Sequence, residues 1–374
     1  MRYLLFAFCM LFAFSSEAKQ PVLSEKAMKN PPPRIIRTCC SFGSEVGVMG
    51  LPGVKISDIT SVAALGPHQY LGNELEGNGI IYTRRGGFID MGHLRDQADW
   101  TAYLFSHIMK HKERGVIVQK LGYEGGAKTL TVLISEEMSA EDIMLLAGKV
   151  AYDLSVWHEI ATWFGASYIP MLPERFSAFS VEDAYSNLLG VHLGIAALKS
   201  ELPYEEAMTQ LIYQTLDSLD AVISQQDTHD AMEGVHNIWW TRNRSLPSKK
   251  ILLYRQLDIY PEVSPLLVPG WESGSVVSPL SVPLYTCSND ASLNQYYHLE
   301  FNLNIRFPYR ELFPVRKGRW VTPDDFGMLI EKVGEQLADA EIKKQKLEER
   351  KQKIVERKAA RRSQQLERKA KQAR

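Results

Sequence analysis

"GVIVQKLGYEGGAKTLTVLIS", residues 115 to 135, sets two apolar, β-branched runs around the glycine turn "YEGGA". Arms of that composition joined by a short Gly-containing loop read as an antiparallel hairpin. On both sides of it the period changes. Residues 90 to 111 before it, and 139 to 165, 181 to 199 and 204 to 226 after it, carry apolar residues at three and four spacing, which predicts helices. The expectation is therefore an α+β fold.

Further out, prolines become frequent after residue 245 (Pro247, Pro261, Pro265, Pro269, Pro279, Pro283). Two strand-like pieces lie among them, "ILLYRQLDIY" (251–260) and "YYHLEFNLNIRF" (296–307). In the second, His298, Glu300, Asn302 and Asn304 alternate with Leu299, Phe301, Leu303 and Ile305, so one face should be wet and the other buried. "TPDDFGMLIEKVGEQLADA" (322–340) then opens a helix with Thr322 as N-cap and Pro323 in its first turn. That helix runs into a charged tail. Together these readings give a single α+β domain over about 35 to 335, with a helical core, a β-hairpin and a Pro-rich β region, followed by a basic helical tail at 336–374.

The chain has 374 residues and 45% hydrophobic content, enough to bury a sizeable core and to exclude disorder of the whole. No internal repeat of solenoid length is present. The first eighteen residues, "MRYLLFAFCMLFAFSSEA", have the Arg2 charge, the apolar run and the small-x-small end of a signal peptide. Export to the periplasm is the expectation, with no transmembrane segment left in the mature chain and an extended arm at 19–34 around Pro31, Pro32 and Pro33. After removal of Cys9, Cys39, Cys40 and Cys287 remain, and one disulfide from the Cys39/Cys40 pair to Cys287 is expected, leaving one thiol over.

Net charge is −1, but residues 341 to 374 hold fourteen Lys/Arg against five Asp/Glu. The body is acidic and the tail basic. A tail of this kind suits an anionic lipid, lipopolysaccharide or another envelope component; no nucleic-acid partner is expected.

Three segments carry residues fit for chemistry. In "GGFIDMGHLRDQADW" (86–100), a helix starting near Asp90 puts Asp90, His93 and Gln97 on one face with Asp96 close by. A histidine among carboxylates is a metal ligand or an acid/base. The plainer reading makes Asp90 a helix cap, Arg95 and Asp99 a surface pair, and His93 a core histidine. In "SVWHEIATWFG" (155–165), His158-Glu159 matches the first half of HExxH, but Thr162 stands where the second histidine belongs. His158 lies on a face of small residues and must find its partner elsewhere. In "FSVEDAYSNLLGVHLG" (179–194), Ser180 and Asp183 fit a capping pattern, while Asp183, Asn187, Gly190 and Gly194 form a polar-to-small lane. Two histidines with a carboxylate, drawn from facing helices, would suit Zn²⁺ or another divalent ion: His93 and His158 as ligands, Asp183 or Glu182 as third, Glu159 as base.

With "RTCCSFG" (37–43), "GGFIDMGHLRDQADWTAYL" (86–104), "WHEIATWFG" (157–165) and "FSVEDAYSNLLG" (179–190) in this order, the chain resembles an exported bacterial family catalogued as domain of unknown function number 4056. The resemblance covers about 35 to 335. It implies a periplasmic or cell-envelope protein of Gram-negative bacteria and brings no activity or catalytic residue. The function expected from the residues is a metal-dependent hydrolase acting on an envelope component. The rival is a non-enzymatic envelope binding or scaffold protein whose His, Glu and Asp residues are structural.

Overall fold

A computed structural model of the chain describes all residues except 1–21, 34–35, 38–41, 44–45, 48–54, 57–58, 136–137, 167–174, 176, 243–250, 275–278 and 373–374. The signal-peptide expectation for 1–18, and Cys39 and Cys40, lie outside the described residues.

The hairpin forms as read. Strands Val116–Tyr123 and Gly126–Leu133 pair antiparallel around Glu124 and Gly125. Tyr297–Leu303 adds to the second of these and Trp320–Val321 to that, giving a four-stranded antiparallel sheet. Its inner face buries Leu130, Val132, Leu299 and Phe301, while His298 and Asn302 stay exposed. The alternation stops at Leu303. Asn304 accepts the backbone N–H groups of Arg306 and Phe307 (2.8 and 3.1 Å), turning the chain out of the sheet and leaving Ile305 87% exposed.

The helical core consists of α1 (Met91–Lys110), α2 (Ala140–Trp163), α3 (Asp183–Lys199) and α4 (Tyr204–Ser218). α2 starts on a Ser139/Asp142 capping box and lies along the sheet, where Trp157 stacks on Phe301 with ring centroids 4.2 Å apart. The single helix read over 204–226 is two. After Ser218 the chain leaves the helix so that the Val222 N–H bonds Tyr82 O, and a second capping box at Ser224/Asp227 opens α5 (Gln225–Gly234). The strand read at 251–260 is also short: only Ile251–Leu252 pairs, with Trp240–Thr241.

α1 and α3 cross at unusually close range, and the sequence says why. A Cβ on Gly190 would lie 2.0 Å from the Leu94 carbonyl oxygen, and one on Gly194 3.0 Å from Ala98 Cα. At Gly190 only a residue without a side chain permits that approach. A short hairpin, Ile80–Thr83 with Gly87–Asp90, feeds directly into α1 and packs on a smaller cluster around Phe42, Phe88 and Trp240.

The N-terminal arm is not extended in its described part, residues 22–33. It runs as turns, because Leu23 and Met28 are apolar enough to dock on the main core, where the Leu23 N–H meets Ser106 Oγ (3.4 Å). At the other end, past the one-turn α6 (Tyr309–Leu312), Thr322 and Asp325 form a capping box and a 3₁₀ turn opens α7 (Phe326–Gln372). Phe326, Leu329 and Val333 are buried; from Ala338 to Arg361 every residue is exposed. Among the described residues no helix is long and apolar enough to cross a membrane.

Candidate metal centre

The 80–90 hairpin delivers Asp90 as the last strand residue and the N-cap of α1. Its Oδ1 accepts the N–H groups of Gly92 (2.7 Å) and His93 (3.1 Å), which fixes the carboxylate, while its own N–H donates to Ser186 Oγ on α3 (2.9 Å). The cap and the functional reading of Asp90 are therefore not alternatives. One oxygen caps the helix, and Oδ2 lies 3.4 Å from His93 Nδ1.

Asp183 comes from the facing helix. The Ser180/Asp183 capping box expected there does not form: Glu182 is the N-cap of α3, and Ser180 donates its hydroxyl to Glu182 Oε2 instead. The Asp183 side chain, freed from capping, places Oδ1 3.0 Å from His93 Nδ1. Ligand atoms of Asp90, His93 and Asp183 all lie within 4.8 Å of one another, an arrangement that could hold a metal ion. Asp90 is fully buried and the His93 side chain 11% exposed. To ligate an ion, the His93 Nδ1 must be unprotonated.

Glu182 faces Ser180 and is not part of this group. His158 approaches but does not join: its ring centroid is 6.5 Å from that of His93, and its Nδ1 meets Glu124 Oε1 at 2.7 Å. This is the partner that the small-residue face of α2 could not supply. Glu124 sits in the hairpin turn, pinned there by Trp157 Nε1 donating to its carbonyl (3.0 Å) and by Lys128 on its other carboxylate oxygen (3.2 Å). Glu159 is buried near Asp183, outside the cleft wall, and accepts the Phe179 N–H. Burial first, then the nearby Asp183, pushes its carboxyl up to about 7, against the pull of His158.

His93 lines a narrow cleft whose wall also holds His158, Glu124, Asp96, Trp100 and Asn187; Asp90 and Asp183 are not in that wall. Asn187 is 2% exposed and its Oδ1 has no hydrogen-bond partner among the described residues. Asp96 is held by Arg37 (2.9 Å) and accepts the N–H groups of Ile36 and Arg37; burial raises its carboxyl to about 6 although Arg37 pulls it down.

Arg95 and Asp99 are not a surface pair. Both are fully buried. Asp99 accepts from Arg37 (2.9 Å) and Tyr204 (3.0 Å) and lies 3.1 Å from His68 Nε2. Arg95 reaches Glu76 (3.1 Å), which Arg37 also grips. Burial, which would raise the Asp99 carboxyl, is outweighed by His68 and Arg37, and it is held below its ordinary range. This network backs the site with rigid charge. Sequence reasoning missed Arg37, Glu124 and Lys128. Arg37 stood in "RTCCSFG", where the cysteines drew the attention, and Glu124 looked like an ordinary turn residue.

Cys287 is remote from the site. It is exposed, a free cysteine, with its thiol 3.2 Å from Asp142 Oδ1 at the start of α2.

One histidine nitrogen and two carboxylates make three possible protein ligands, fewer than the four of a closed tetrahedral site. Such a nitrogen and oxygen set is suited to Zn²⁺, Mn²⁺ or Fe²⁺.

The profile of a family described as "Protein of unknown function (DUF4056)" matches residues 27–269, which takes in every residue of the cluster and its cleft. No curated protein and no solved structure matches the chain.

Proposed function

The chain belongs to the DUF4056 family of proteins of unknown function, and from the geometry of its site we propose that it is a metal-dependent hydrolase of the cell envelope. The observation that carries this reading is the convergence of Asp90, His93 and Asp183 on one point, with His93 also lining a cleft. Zn²⁺ is the ion proposed. Bound there, it would supply Lewis-acid polarisation of a substrate oxygen and a water of lowered pKa.

The protein's own residues divide the remaining work. Glu159, buried beside Asp183 and bonded to the Phe179 N–H, is the proposed proton acceptor. His158, oriented by Glu124, contacts the substrate from the opposite wall, and Asn187 offers it an unpaired acceptor. The envelope location rests on the signal-peptide pattern of residues 1–18. A non-enzymatic envelope scaffold is the second reading, favoured by the exposed stretch 338–361 of α7.

Metal content and Zn²⁺ titration of the mature protein test the proposal first. Wild type and His158→Ala should bind one ion; His93→Ala and Asp183→Asn should not. Ester and amide hydrolysis should then fall with chelator and with Glu159→Gln. Protein that takes up no divalent ion ends the proposal, and metal binding with hydrolysis indifferent to chelator ends its catalytic half.

A further inference from the structure

α7 continues as one helix for 47 residues, and every residue of its stretch 341–361 is exposed. At 100° per residue, its charges are sorted by face. Lys343, Lys346, Arg350, Lys353, Arg357 and Arg361 fall on one edge of a sector of about 180°. Lys344, Lys351 and Lys358 fall on the other edge. Between the two rows sit Leu347 and Ile354, 52% and 53% exposed. The acids Glu341, Glu348, Glu349 and Glu356 occupy the opposite side of the helix.

Composition alone would have scattered these charges. A solvated helix held by i,i+4 ion pairs mixes signs around its circumference, whereas this one keeps two basic rows about an apolar line. The apolar line is also too short to be a coiled-coil seam, because Ala340 and Arg361 stand one heptad beyond Leu347 and Ile354. Leucine and isoleucine flanked by lysine and arginine match an interface where anionic headgroups surround acyl chains.

We propose that residues 343–361 of α7 lie flat on an anionic lipid surface, with Leu347 and Ile354 entering the acyl boundary, and that this contact fixes the α+β domain to the membrane. The proposal does not depend on the metal site.

Flotation of the full mature chain with vesicles tests it. Binding is expected to equal mixtures of phosphatidylglycerol and phosphatidylcholine at about 50 mM salt, not to phosphatidylcholine alone, with release near about 0.5 M salt. Arg350→Gln with Arg357→Gln should weaken binding about 30-fold. Leu347→Ser with Ile354→Ser should weaken it while leaving the salt dependence intact, and Glu348→Gln with Glu349→Gln should not weaken it. All these positions are exposed, and circular dichroism checks that each variant folds. Equal adsorption to neutral vesicles, wild-type binding by the Arg350/Arg357 variant, or a self-association in sedimentation that Leu347→Ser abolishes would each overturn the proposal.

Discussion

Gly190→Ala is the sharpest probe of how the site is built. The added Cβ would stand 2.0 Å from the Leu94 carbonyl oxygen, 2.8 Å from its carbon and 2.9 Å from Leu94 Cα. These are backbone atoms of α1, which no rotamer change can move aside. Ordinary carbon–oxygen contact begins near about 3.3 Å, so α1 and α3 must part by roughly 1 Å. Overpacking of this kind costs up to about 3 kcal/mol, and alanine returns about 1 kcal/mol of helix propensity. A net loss of about 2 kcal/mol is therefore expected in urea unfolding. The same parting lengthens the 3.0 Å approach of His93 Nδ1 to Asp183 Oδ1 and spreads the three ligand atoms, so Zn²⁺ affinity should drop on the order of tenfold or more. Gly194→Ala supplies the graded comparison: its nearest atoms are at 3.0, 3.1 and 3.2 Å, a few tenths too close, and the variant should be near neutral in stability. If Gly190→Ala proves as stable as wild type, or the two alanines behave alike, the argument that glycine spacing sets the metal centre is refuted.

Two further outcomes follow from the charge networks. Arg37→Met leaves Glu76, Asp96 and Asp99 buried without their shared cation and should cost about 3–5 kcal/mol in chemical denaturation; a loss below about 1 kcal/mol would show that the network is not holding the fold. The Asp142 carboxylate accepts from the Ser139 N–H and hydroxyl and from the Ser288 and Cys287 N–H groups; these bonds outweigh the upward push of burial and hold its carboxyl well below the usual range. A depressed carboxylate contributes stability above its ordinary pKa and loses it as pH falls toward the folded value. Unfolding free energy measured from pH 6 downward should thus decline more steeply below about pH 4 in wild type than in Asp142→Asn, and parallel curves would contradict the assignment.

Much of the fold was legible because the local signals agreed with one another. The 115–135 hairpin, α1, α2 and α3 were marked by period and turn chemistry within a few residues of their observed ends. Where tertiary pairing overrode period, the reading slipped. Residues 219–222 leave the helix to bond the 80–83 strand, and nothing in their own sequence announces that partner. The same holds at the site. Asp90, His93 and Asp183 were each visible as candidates, and the Gly190/Gly194 lane hinted at a close crossing. That His158 would turn to Glu124 instead of completing the set depends on where a hairpin turn lands on α2. Such a contact between segments 34 residues apart is fixed only when sheet and helix pack. Arg95 and Asp99 misled for a related reason: i,i+4 spacing allows a surface pair, but burial handed each a better partner from another segment.

The divided carboxylate of Asp90 has a thermodynamic consequence. One oxygen caps the first turn of α1 while the other faces the candidate ion, so occupancy and helix initiation share a single side chain. Linkage then requires that an ion held there raise the melting temperature, by the equivalent of about 2.7 kcal/mol at a hundredfold excess over Kd. Equally, anything that frays residues 90–93 must loosen the ion. Folding of the N-terminal half and readiness of the cleft become one equilibrium, in which a partly unfolded chain would hold its ion poorly and carry little activity.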